Sequence, residues 1–311
     1  MKKLNKIGLL SGSIITILLM VGVQSVAGAQ TKPNSDQLPP VVAAPTAPPA
    51  GFNPLTASGS DLEKYGFPQR PTDPNALASW TKAMESAKHY VAPVQIPSTF
   101  AHGDYTNWAG YEVDGSNNNN DTFYYTSSNW VQPAYSGTSD PSFWVGQGGI
   151  NGEPLTQAGA DSNASSVGGS TQYEFWVEDW PLNTVWEASP VLYKNDEVYV
   201  NVTYKGSTST AFLDNESTGY YTSVNFSTPY YWGGSADYIN EAVNSTYNNW
   251  SSWNSTTFTS GTLEWDNTNG TNGGGEFTAY NYTKDIMENN NVVYSTPGAA
   301  SNGDFTITAS N

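Results

Sequence analysis

The sequence predicts an all-β fold, a sandwich of two large antiparallel sheets, preceded by segments removed in processing. Beyond about residue 100 the composition turns to Thr, Tyr, Trp, Asn and Gly. Short runs there alternate apolar with polar residues, and Gly, Asn, Asp and Ser separate the runs. About a dozen such strands, with no helical pattern of comparable length, favour two packed sheets over a helical or α/β domain.

The first 29 residues have the pattern of a secretory signal peptide. Lys2, Lys3 and Lys6 form a basic start, an apolar run covers residues 9–23, and Ala27-Gly28-Ala29 fits the small-residue cleavage site. The alternative is a transmembrane anchor, for which the apolar run is short. We therefore expect a secreted, extracellular protein with no membrane attachment after processing.

Residues 30–100 are predicted to be a Pro-rich linker and a helical prosegment. Residues 30–54 are rich in Pro, Ala and Thr, a composition typical of extended linkers. Asp73-Pro74 predicts an N-cap and first turn, after which apolar residues recur at helical spacing until the helix ends near Val91. The apolar positions of this one amphipathic helix are Leu77, Trp80, Met84, Ala87 and Tyr90.

The prosegment carries bases, whereas the domain after it is acidic. Lys64, Arg70, Lys82 and Lys88 predict electrostatic docking onto that domain. We expect the prosegment to be an intramolecular inhibitor that covers the cleft at neutral pH. It would leave in acid as carboxylates neutralise, followed by cleavage near residue 100. The alternative is a disordered spacer or a folding aid.

The β-sandwich domain is predicted over residues 101–311. The motif at 154–161 is also interpreted as a strand. The other predicted strands are Tyr105–Val113, Thr122–Val131, Phe143–Gly148, Thr171–Trp180, Glu197–Lys205, Thr208–Leu213, Tyr220–Phe226, Asp237–Val243, Thr257–Trp265, Glu276–Tyr282, Val292–Ser295 and Asp304–Thr308.

The charge inventory limits the chemistry. The chain holds 28 acidic residues against 11 Lys and Arg, and no cysteine, and its net charge of −17 argues against nucleic-acid partners. From Ala101 onward there are 23 acids but only three bases, and no His follows His102. Ser-His-Asp and Cys-His catalysis and His- or Cys-ligated metal sites therefore lack their residues. Carboxylates, amides and hydroxyls must do any chemistry, and we expect no metal or other cofactor.

The same inventory predicts a protein that is active and stable in acid. Acid unfolds proteins largely because carboxylates become neutral while bases remain charged and repel one another. The three lysines of the domain, Lys194, Lys205 and Lys284, generate little such repulsion. The alternative is a surface adapted to high salt, for which activity would depend on salt more than on pH.

Two predicted strands carry a polar residue between apolar neighbours on one face. Gln157 shares a face with Leu155 and Gly159, and Glu241 shares a face with Ile239 and Val243. A carboxylate held between Ile and Val is a candidate for a desolvated, reactive acid, although an exposed Glu is the commoner outcome of this pattern.

From Asn107 to about Trp265 the sequence resembles the glutamic peptidases, or eqolisins. The resemblance lies in the order of six motifs and in the 84 positions between Gln157 and Glu241. It implies a secreted, acid-acting, pepstatin-insensitive endopeptidase with a concanavalin-A-like β-sandwich. The motifs are Asn107-Trp-Ala-Gly110, Trp144-Val-Gly146, Leu155-Thr-Gln-Ala-Gly-Ala-Asp161, Tyr173-Glu174, Phe212-Leu-Asp-Asn-Glu-Ser-Thr-Gly219 and Ala236-Asp-Tyr-Ile-Asn-Glu241.

The resemblance also implies the site residues. The family's catalytic glutamine falls on Gln157 and its catalytic glutamate on Glu241. The positions that line or support the substrate cleft fall on Trp108, Trp144, Asp161 and Glu174.

The sequence departs from the family pattern at a few positions. Gly148 stands where fungal members carry an Asp, and Gln172 stands where a Trp precedes their Tyr-Glu pair. Asp237 and Asn240 make the glutamate motif looser. These departures indicate a divergent, bacterial branch and bear on the hydrogen bonds of the cleft more than on the catalytic pair.

The implied mechanism needs two residues. Ionised Glu241 takes a proton from the water that attacks the peptide carbonyl and returns it to the leaving amine. Gln157 orients that water and donates a hydrogen bond to the developing oxyanion. The expected partners are polypeptide substrates, and the expected state is a monomer.

Two other functions remain open at this point. In a jelly-roll glycoside hydrolase, Glu174 and Glu178 on one strand face would be the carboxylate pair, although Trp176 stands where such enzymes usually carry an Asp. In a non-catalytic carbohydrate-binding sandwich, the many Trp and Tyr side chains would stack on sugars.

Overall fold

The structure is a computed structural model. It describes residues 46–97, 105–137, 139–163, 172–180, 184–188, 192–205, 208–227, 233–243, 247 and 250–310. The predicted signal peptide, most of the predicted linker and the predicted cleavage region near residue 100 lie outside these ranges. In the described part of the chain, no helix is long and apolar enough to cross a bilayer.

The elements are numbered along the chain. The helices are α1 (Gly59–Lys64) and α2 (Pro74–Ser86). The strands are β1 (His89–Tyr90), β2 (Val94–Pro97), β3 (Trp108–Asp114), β4 (Asp121–Val131), β5 (Pro141–Gly148), β6 (Leu155–Asn163), β7 (Gln172–Trp180), β8 (Thr184–Ala188), β9 (Glu197–Lys205), β10 (Thr208–Asn215), β11 (Tyr220–Ser227), β12 (Ser235–Ala242), β13 (Ser255–Asn267), β14 (Asn272–Glu276), β15 (Thr283–Asp285), β16 (Met287–Asn289), β17 (Val292–Pro297) and β18 (Phe305–Ala309).

The described strands form two sheets, which confirms the predicted sandwich. The ten-stranded sheet has the order β1-β11-β10-β9-β4-β13-β18-β17-β16, with β14 paired to β13. The eight-stranded sheet has the order β15-β3-β12-β5-β6-β7-β8-β2. The pairs are antiparallel except that β1 lies parallel to β11.

The main core lies between the two sheets. Alternate residues of β5 and β6, such as Phe143 and Ala158, are fully buried in one cluster with Val200 of β9. Because side chains alternate across a strand, their neighbours along β5 and β6 point to the other face of the eight-stranded sheet. That outer face, turned away from the ten-stranded sheet, carries Gln157 and Glu241.

One predicted strand is wrong. The range Glu276–Tyr282 contains a 3₁₀ turn, Phe277–Ala279, between β14 and β15. The Phe277 ring is buried in the core, so it resembles a strand residue by composition alone. The actual strand β14 is rich in glycine and pairs with β13 through its backbone, a pattern that side-chain alternation does not reveal.

The predicted prosegment helix is shorter than expected, and a second helix, α1, precedes it. Asp73 caps α2 as predicted, its side chain accepting from the backbone N–H groups of Asn75 and Ala76. The helix ends at Ser86 rather than near Val91. The backbone N–H groups of Lys88 and His89 both donate to the Gly219 carbonyl, which draws the chain into β1.

Residues 46–90 pack on the outer face of the ten-stranded sheet and build a second aromatic core there. Its buried members from this segment are Leu62, Phe67, Trp80, Ala83 and Met84, and those from the sheet are Tyr199, Phe212 and Tyr221. Phe52, in the predicted linker, lies against the rings of Tyr65 and Phe67. The helix α2 therefore lies on the opposite side of the sandwich from Glu241, so it is not the part of the prosegment that could cover the cleft.

Polar contacts surround this second core. Lys82 Nζ lies 2.7 Å from Oε2 of the buried Glu216 side chain and 3.0 Å from Oε2 of the exposed Glu197 side chain. Glu264 Oε1 accepts from the backbone N–H and the hydroxyl of Thr72. An exposed ion pair contributes about 0–1 kcal/mol, whereas one buried Phe or Met side chain contributes about 1.5–3 kcal/mol. The docking therefore combines a large apolar core with the ion pairs of Lys82, which are electrostatic contacts of the predicted kind.

We expect Met84→Ala to destabilise the whole protein, although residue 84 lies outside the sandwich. The Met84 side chain is buried in the second aromatic core, and its loss leaves a cavity that costs about 2–3 kcal/mol. Urea unfolding would measure this shift. Glu85→Ala, at the exposed next position of α2, is the control and should change the free energy of unfolding by no more than about 0.5 kcal/mol. Equal midpoints for Met84→Ala and the unmodified protein would contradict the packing role.

Candidate active site

The outer face of the eight-stranded sheet arranges its side chains in three rows, which the strand register defines. The first row crosses Trp108, Glu241, Ser142, Asp161 and Glu174. The second row crosses Gly110, Ile239, Trp144, Gly159 and Trp176. The third row crosses Glu112, Asp237, Gly146, Gln157 and Glu178. All six predicted site residues thus share one face.

Glu241 is held by two buried N–H donors. Asn107 Nδ2 donates to Glu241 Oε1 at 3.0 Å, and Trp144 Nε1 donates to Glu241 Oε2 at 3.0 Å. Glu241 is only 9% exposed, so the exposed alternative for this residue is wrong and the desolvated one is confirmed. Each carboxylate oxygen is therefore oriented by a side chain that is itself fixed by burial.

Gln157 is also buried, at 1% exposure. Its Nε2 donates to Glu178 Oε2 at 2.8 Å, across the β6–β7 pair. Its Oε1 accepts no hydrogen bond among the described residues. The carboxamide is thus anchored through one N–H of Nε2. Its Oε1 and the second N–H of Nε2 remain to interact with a bound water or substrate.

Trp144 occupies the position between Glu241 and Gln157 on the diagonal of the three rows. The neighbouring positions Gly146 and Gly159 leave room for its indole: a Cβ at residue 146 would lie 3.0 Å from Trp144 Cζ3, and one at residue 159 only 2.6 Å from Trp144 Cβ. Trp108 packs edge-on against Trp144, with ring centroids 4.9 Å apart. The two predicted tryptophans therefore form the apolar wall beside Glu241, together with Leu155, Trp176 and Ile239.

A first acid cluster, defined as Asp140, Asp161, Glu174 and Glu187, lies beside Ser142. Burial, reinforced by Glu187 and then Asp140, raises the pKa of Glu174 to about 7. Burial, with Asp140 and Glu174 next in effect, raises the pKa of Asp161 well above its ordinary value. Burial and Glu187 raise the pKa of Asp140 to about 7. Asp140 and Glu174 therefore stay protonated at pH values between about 4 and about 7, a range in which a carboxyl group in water is ionised.

A second acid cluster, defined as Glu112, Asp237 and Asp285, lies at the β15 side of the same face. Burial, followed by the charge of Asp285, raises the pKa of Glu112 to about 8. Burial, followed by Glu112, raises the pKa of Asp237 well above its ordinary value. Burial also raises the pKa of Asp285 to about 6. In the described part of the chain, no set of three acidic or imidazole side chains has a geometry that could hold a metal ion.

The structure adds two residues to the predicted site. Asn107 contacts Glu241, and the only sequence signal for it is its place at the start of the Asn107-Trp-Ala-Gly110 motif. Glu178 contacts Gln157, whereas the sequence suggested Glu178 only as part of a glycosidase pair. Both contacts depend on strand register, which single-sequence patterns do not specify.

Gly148 explains one departure from the family pattern. Its φ is +90°, and a Cβ at this position would lie 2.1 Å from the Pro154 carbonyl oxygen. The backbone of β5 therefore cannot accept a side chain there without moving. The side chain of Gln172 lies outside the described residues.

We expect Gly148→Asp to destabilise the protein by at least about 2 kcal/mol, because it adds both backbone strain and overlap with Pro154. Gly152→Asp is the matched control, since Gly152 has a φ of +78° but open space around its Cβ position. Thermal unfolding of both variants separates strain from overlap. Equal losses in the two variants would show that the contact with Pro154 is unimportant.

Fold and site together define a class: a β-sandwich whose outer face gathers buried carboxyl groups and a carboxamide, in a domain whose sequence has no His after residue 102. The chain belongs to the Peptidase A4 family, the eqolisin family of glutamic peptidases, whose profile matches residues 106–309. The predicted family is therefore confirmed.

The solved structures that resemble this chain include glutamic peptidases. A scytalido-glutamic peptidase with a peptide-based transition state analog is 21% identical, covers 66% of this chain and 98% of its own, and has a TM-score of 0.52. SCP-B, an eqolisin in complex with the tripeptide Ala-Ile-His, is 21% identical with the same coverage and a TM-score of 0.50. No curated protein sequence matches the chain. These structures establish the likeness of fold, and family membership supports a glutamic-type peptidase.

Proposed function

We propose that the protein is a secreted endopeptidase that hydrolyses peptide bonds in acid, with Glu241 and Gln157 as its catalytic residues. The observation that carries this proposal is the pair of buried donors, Asn107 and Trp144, on the two oxygens of Glu241. A buried carboxylate with each oxygen oriented is suited to hold a water and take its proton.

The reaction needs one group as base and then as acid. Glu241 removes a proton from a bound water as the water oxygen attacks the substrate carbonyl carbon. The proton then passes from Glu241 to the amine that leaves when the C–N bond breaks. Asn107 and Trp144 hold the carboxyl in place through both steps.

Gln157 stabilises the tetrahedral intermediate. Its Nε2 has a second N–H beyond the one given to Glu178, and its Oε1 is open to accept from the attacking water. One well-placed donor to an oxyanion contributes about 3 kcal/mol to the transition state. An amide suits acid conditions because it does not titrate there.

The acid clusters support an acid optimum. Asp161 and Glu174 are neutral at low pH because of their raised pKa values. As pH rises they ionise in the same row of the sheet face as Glu241, which adds like charge to the site and disfavours an anionic intermediate. Because these groups interact, their titration belongs to the cluster as a whole.

The alternatives from the sequence receive no support. Glu178 is engaged with Gln157, and Trp176 occupies the position between Glu174 and Glu178. In the described part of the chain no Trp side chain is exposed, so the exposed tyrosines Tyr193, Tyr220 and Tyr282 are the aromatic side chains left there for stacking on a sugar.

Hydrolysis of casein at about pH 3.5, with and without pepstatin, tests the function. We expect cleavage that pepstatin does not inhibit and that falls off toward neutral pH. Hydrolysis of β-glucan without cleavage of casein would instead favour a glycosidase. Binding of polysaccharide with no hydrolysis would favour the non-catalytic sandwich.

The proposal includes export, cleavage near residue 100 and a monomeric enzyme. It keeps inhibition by residues 30–100 before cleavage, although α2 is not the element that covers the cleft. Activity of the uncleaved and the cleaved protein, compared at the same pH, tests the inhibition. Equal activity would leave this segment with a structural role only.

A further inference from the structure

We propose that Glu178 is a positioning residue that fixes the orientation of the Gln157 carboxamide. This inference rests on the proposed function, because it gives Glu178 a role only if Gln157 takes part in catalysis. Glu178 itself contacts neither the attacking water nor the substrate carbonyl in the mechanism above.

The two side chains form one cross-strand pair. Gln157 on β6 and Glu178 on β7 lie opposite each other in the register, and they are 1% and 2% exposed. Gln157 Nε2 lies 2.8 Å from Glu178 Oε2. Because this contact is shielded from water, an amide atom that faces an unsuitable partner has no water to replace it, and that orientation is disfavoured.

A carboxamide has two orientations of almost equal shape, which differ by exchange of its oxygen and its NH₂ group. Glu178 distinguishes them by presenting Oε2 as an acceptor, which the amide NH₂ group can satisfy and the amide oxygen cannot. In the observed orientation the NH₂ group faces Glu178. In the reversed one, Gln157 Oε1 would face Glu178 Oε2, and two acceptors would repel each other.

The orientation of the Gln157 carboxamide decides which of its atoms face the attacking water and the developing oxyanion. With Nε2 held by Glu178, one N–H remains for the oxyanion and Oε1 remains for the water. Without Glu178 both orientations would be populated, and the reversed one would exchange these two atoms. We therefore expect loss of Glu178 to lower kcat with little change in KM, since substrate contacts away from Gln157 are retained.

The neighbouring pair on the same two strands is a matched control. Thr156 Oγ1 donates to Asp179 Oδ1 at 2.9 Å, and both residues are as buried as the Gln157–Glu178 pair. One residue along a strand points to the opposite face, so Thr156 and Asp179 lie on the core side of the sheet. Removing Asp179 disturbs the same strands but not Gln157.

The experiment compares Glu178→Leu, Glu178→Gln and Asp179→Leu in the full chain, with casein-derived peptide substrates at about pH 3.5. We expect Glu178→Leu to lower kcat about 10-fold or more, with KM within about 3-fold. Glu178→Gln keeps an acceptor oxygen and should retain kcat within about 3-fold. Asp179→Leu should lower thermal stability while leaving kcat of the folded protein within about 3-fold. Should Glu178→Leu fail to fold, Glu178→Thr, which suits a strand but is too short to reach Gln157, takes its place.

A double variant separates this inference from the proposed function. In a Gln157→Ala background, Glu178→Leu should cause no further loss of kcat, because no carboxamide remains to be oriented. Full kcat in Glu178→Leu, or an additive loss in the double variant, would overturn the positioning role. Wild-type activity in Gln157→Ala alone would instead overturn the proposed function.

Discussion

Glu241→Gln and Gln157→Ala are each expected to lower kcat by about 100-fold or more while the protein stays folded. Glu241→Gln keeps the shape of the side chain and one acceptor oxygen, but an amide cannot take the proton from water. Gln157→Ala removes the proposed oxyanion donor and leaves a small cavity. Neither change touches the main core or the second aromatic core.

The measurement is peptide hydrolysis at acid pH together with circular dichroism and thermal unfolding. Glu288→Gln, at an exposed position of β16, controls for the loss of one negative charge and should keep full activity. Near-normal cleavage by a folded Glu241→Gln protein would rule out Glu241 as the catalytic carboxylate. Partial activity that returns at higher pH in either variant would indicate another base.

The free energy of unfolding is expected to fall as pH rises from about 4 to about 8, which is the reverse of the usual acid denaturation. Burial raises the pKa of Glu112 to about 8 and that of Asp179 to about 7. An unfolded carboxyl has a pKa of about 4, so over this range the native state binds protons that the unfolded state has lost. Stability therefore is full at about pH 4 and is lost as pH rises through 7 to 8.

The size of this effect is large because several groups contribute. A single carboxyl whose pKa rises from about 4 to about 7 contributes up to about 4 kcal/mol to the difference. The two acid clusters and Asp179 do not add simply, since their members interact, but we expect a total above about 5 kcal/mol. Urea unfolding at pH 4, 6 and 8 measures it. Stability that increases with pH, or that depends on salt but not on pH, would favour the high-salt alternative.

Most strands were predicted from the alternation of apolar and polar residues along the sequence. The predicted strand Glu197–Lys205 agrees with β9 at both ends, because apolar and polar residues alternate there and turn residues bound the run. By contrast, β14 consists largely of glycine and is held by backbone pairing to β13, so no side-chain pattern marks it. The C-terminal end of α2 depends on the Gly219 carbonyl, 131 residues from Lys88 along the chain, and local propensity does not include such a partner.

The candidate site likewise contains residues that the sequence predicted and residues that only the strand register brings to it. Motif order identified Gln157 and Glu241, and the structure places both on one buried face with Trp108 and Trp144. Their partners Asn107 and Glu178 depend on which strands are neighbours and in what register. The gathering of Asp140, Asp161, Glu174 and Glu187 from four separate stretches of sequence also depends on sheet topology.

The second aromatic core has a practical consequence for maturation and for laboratory work. A chain that starts at residue 101 would leave the rings of Tyr199, Phe212 and Tyr221 bare on the back of the ten-stranded sheet. A contiguous aromatic patch of that kind promotes self-association. A cut near residue 100 would thus give two polypeptides that hold together, with the amino-terminal piece serving as a permanent cover for those rings.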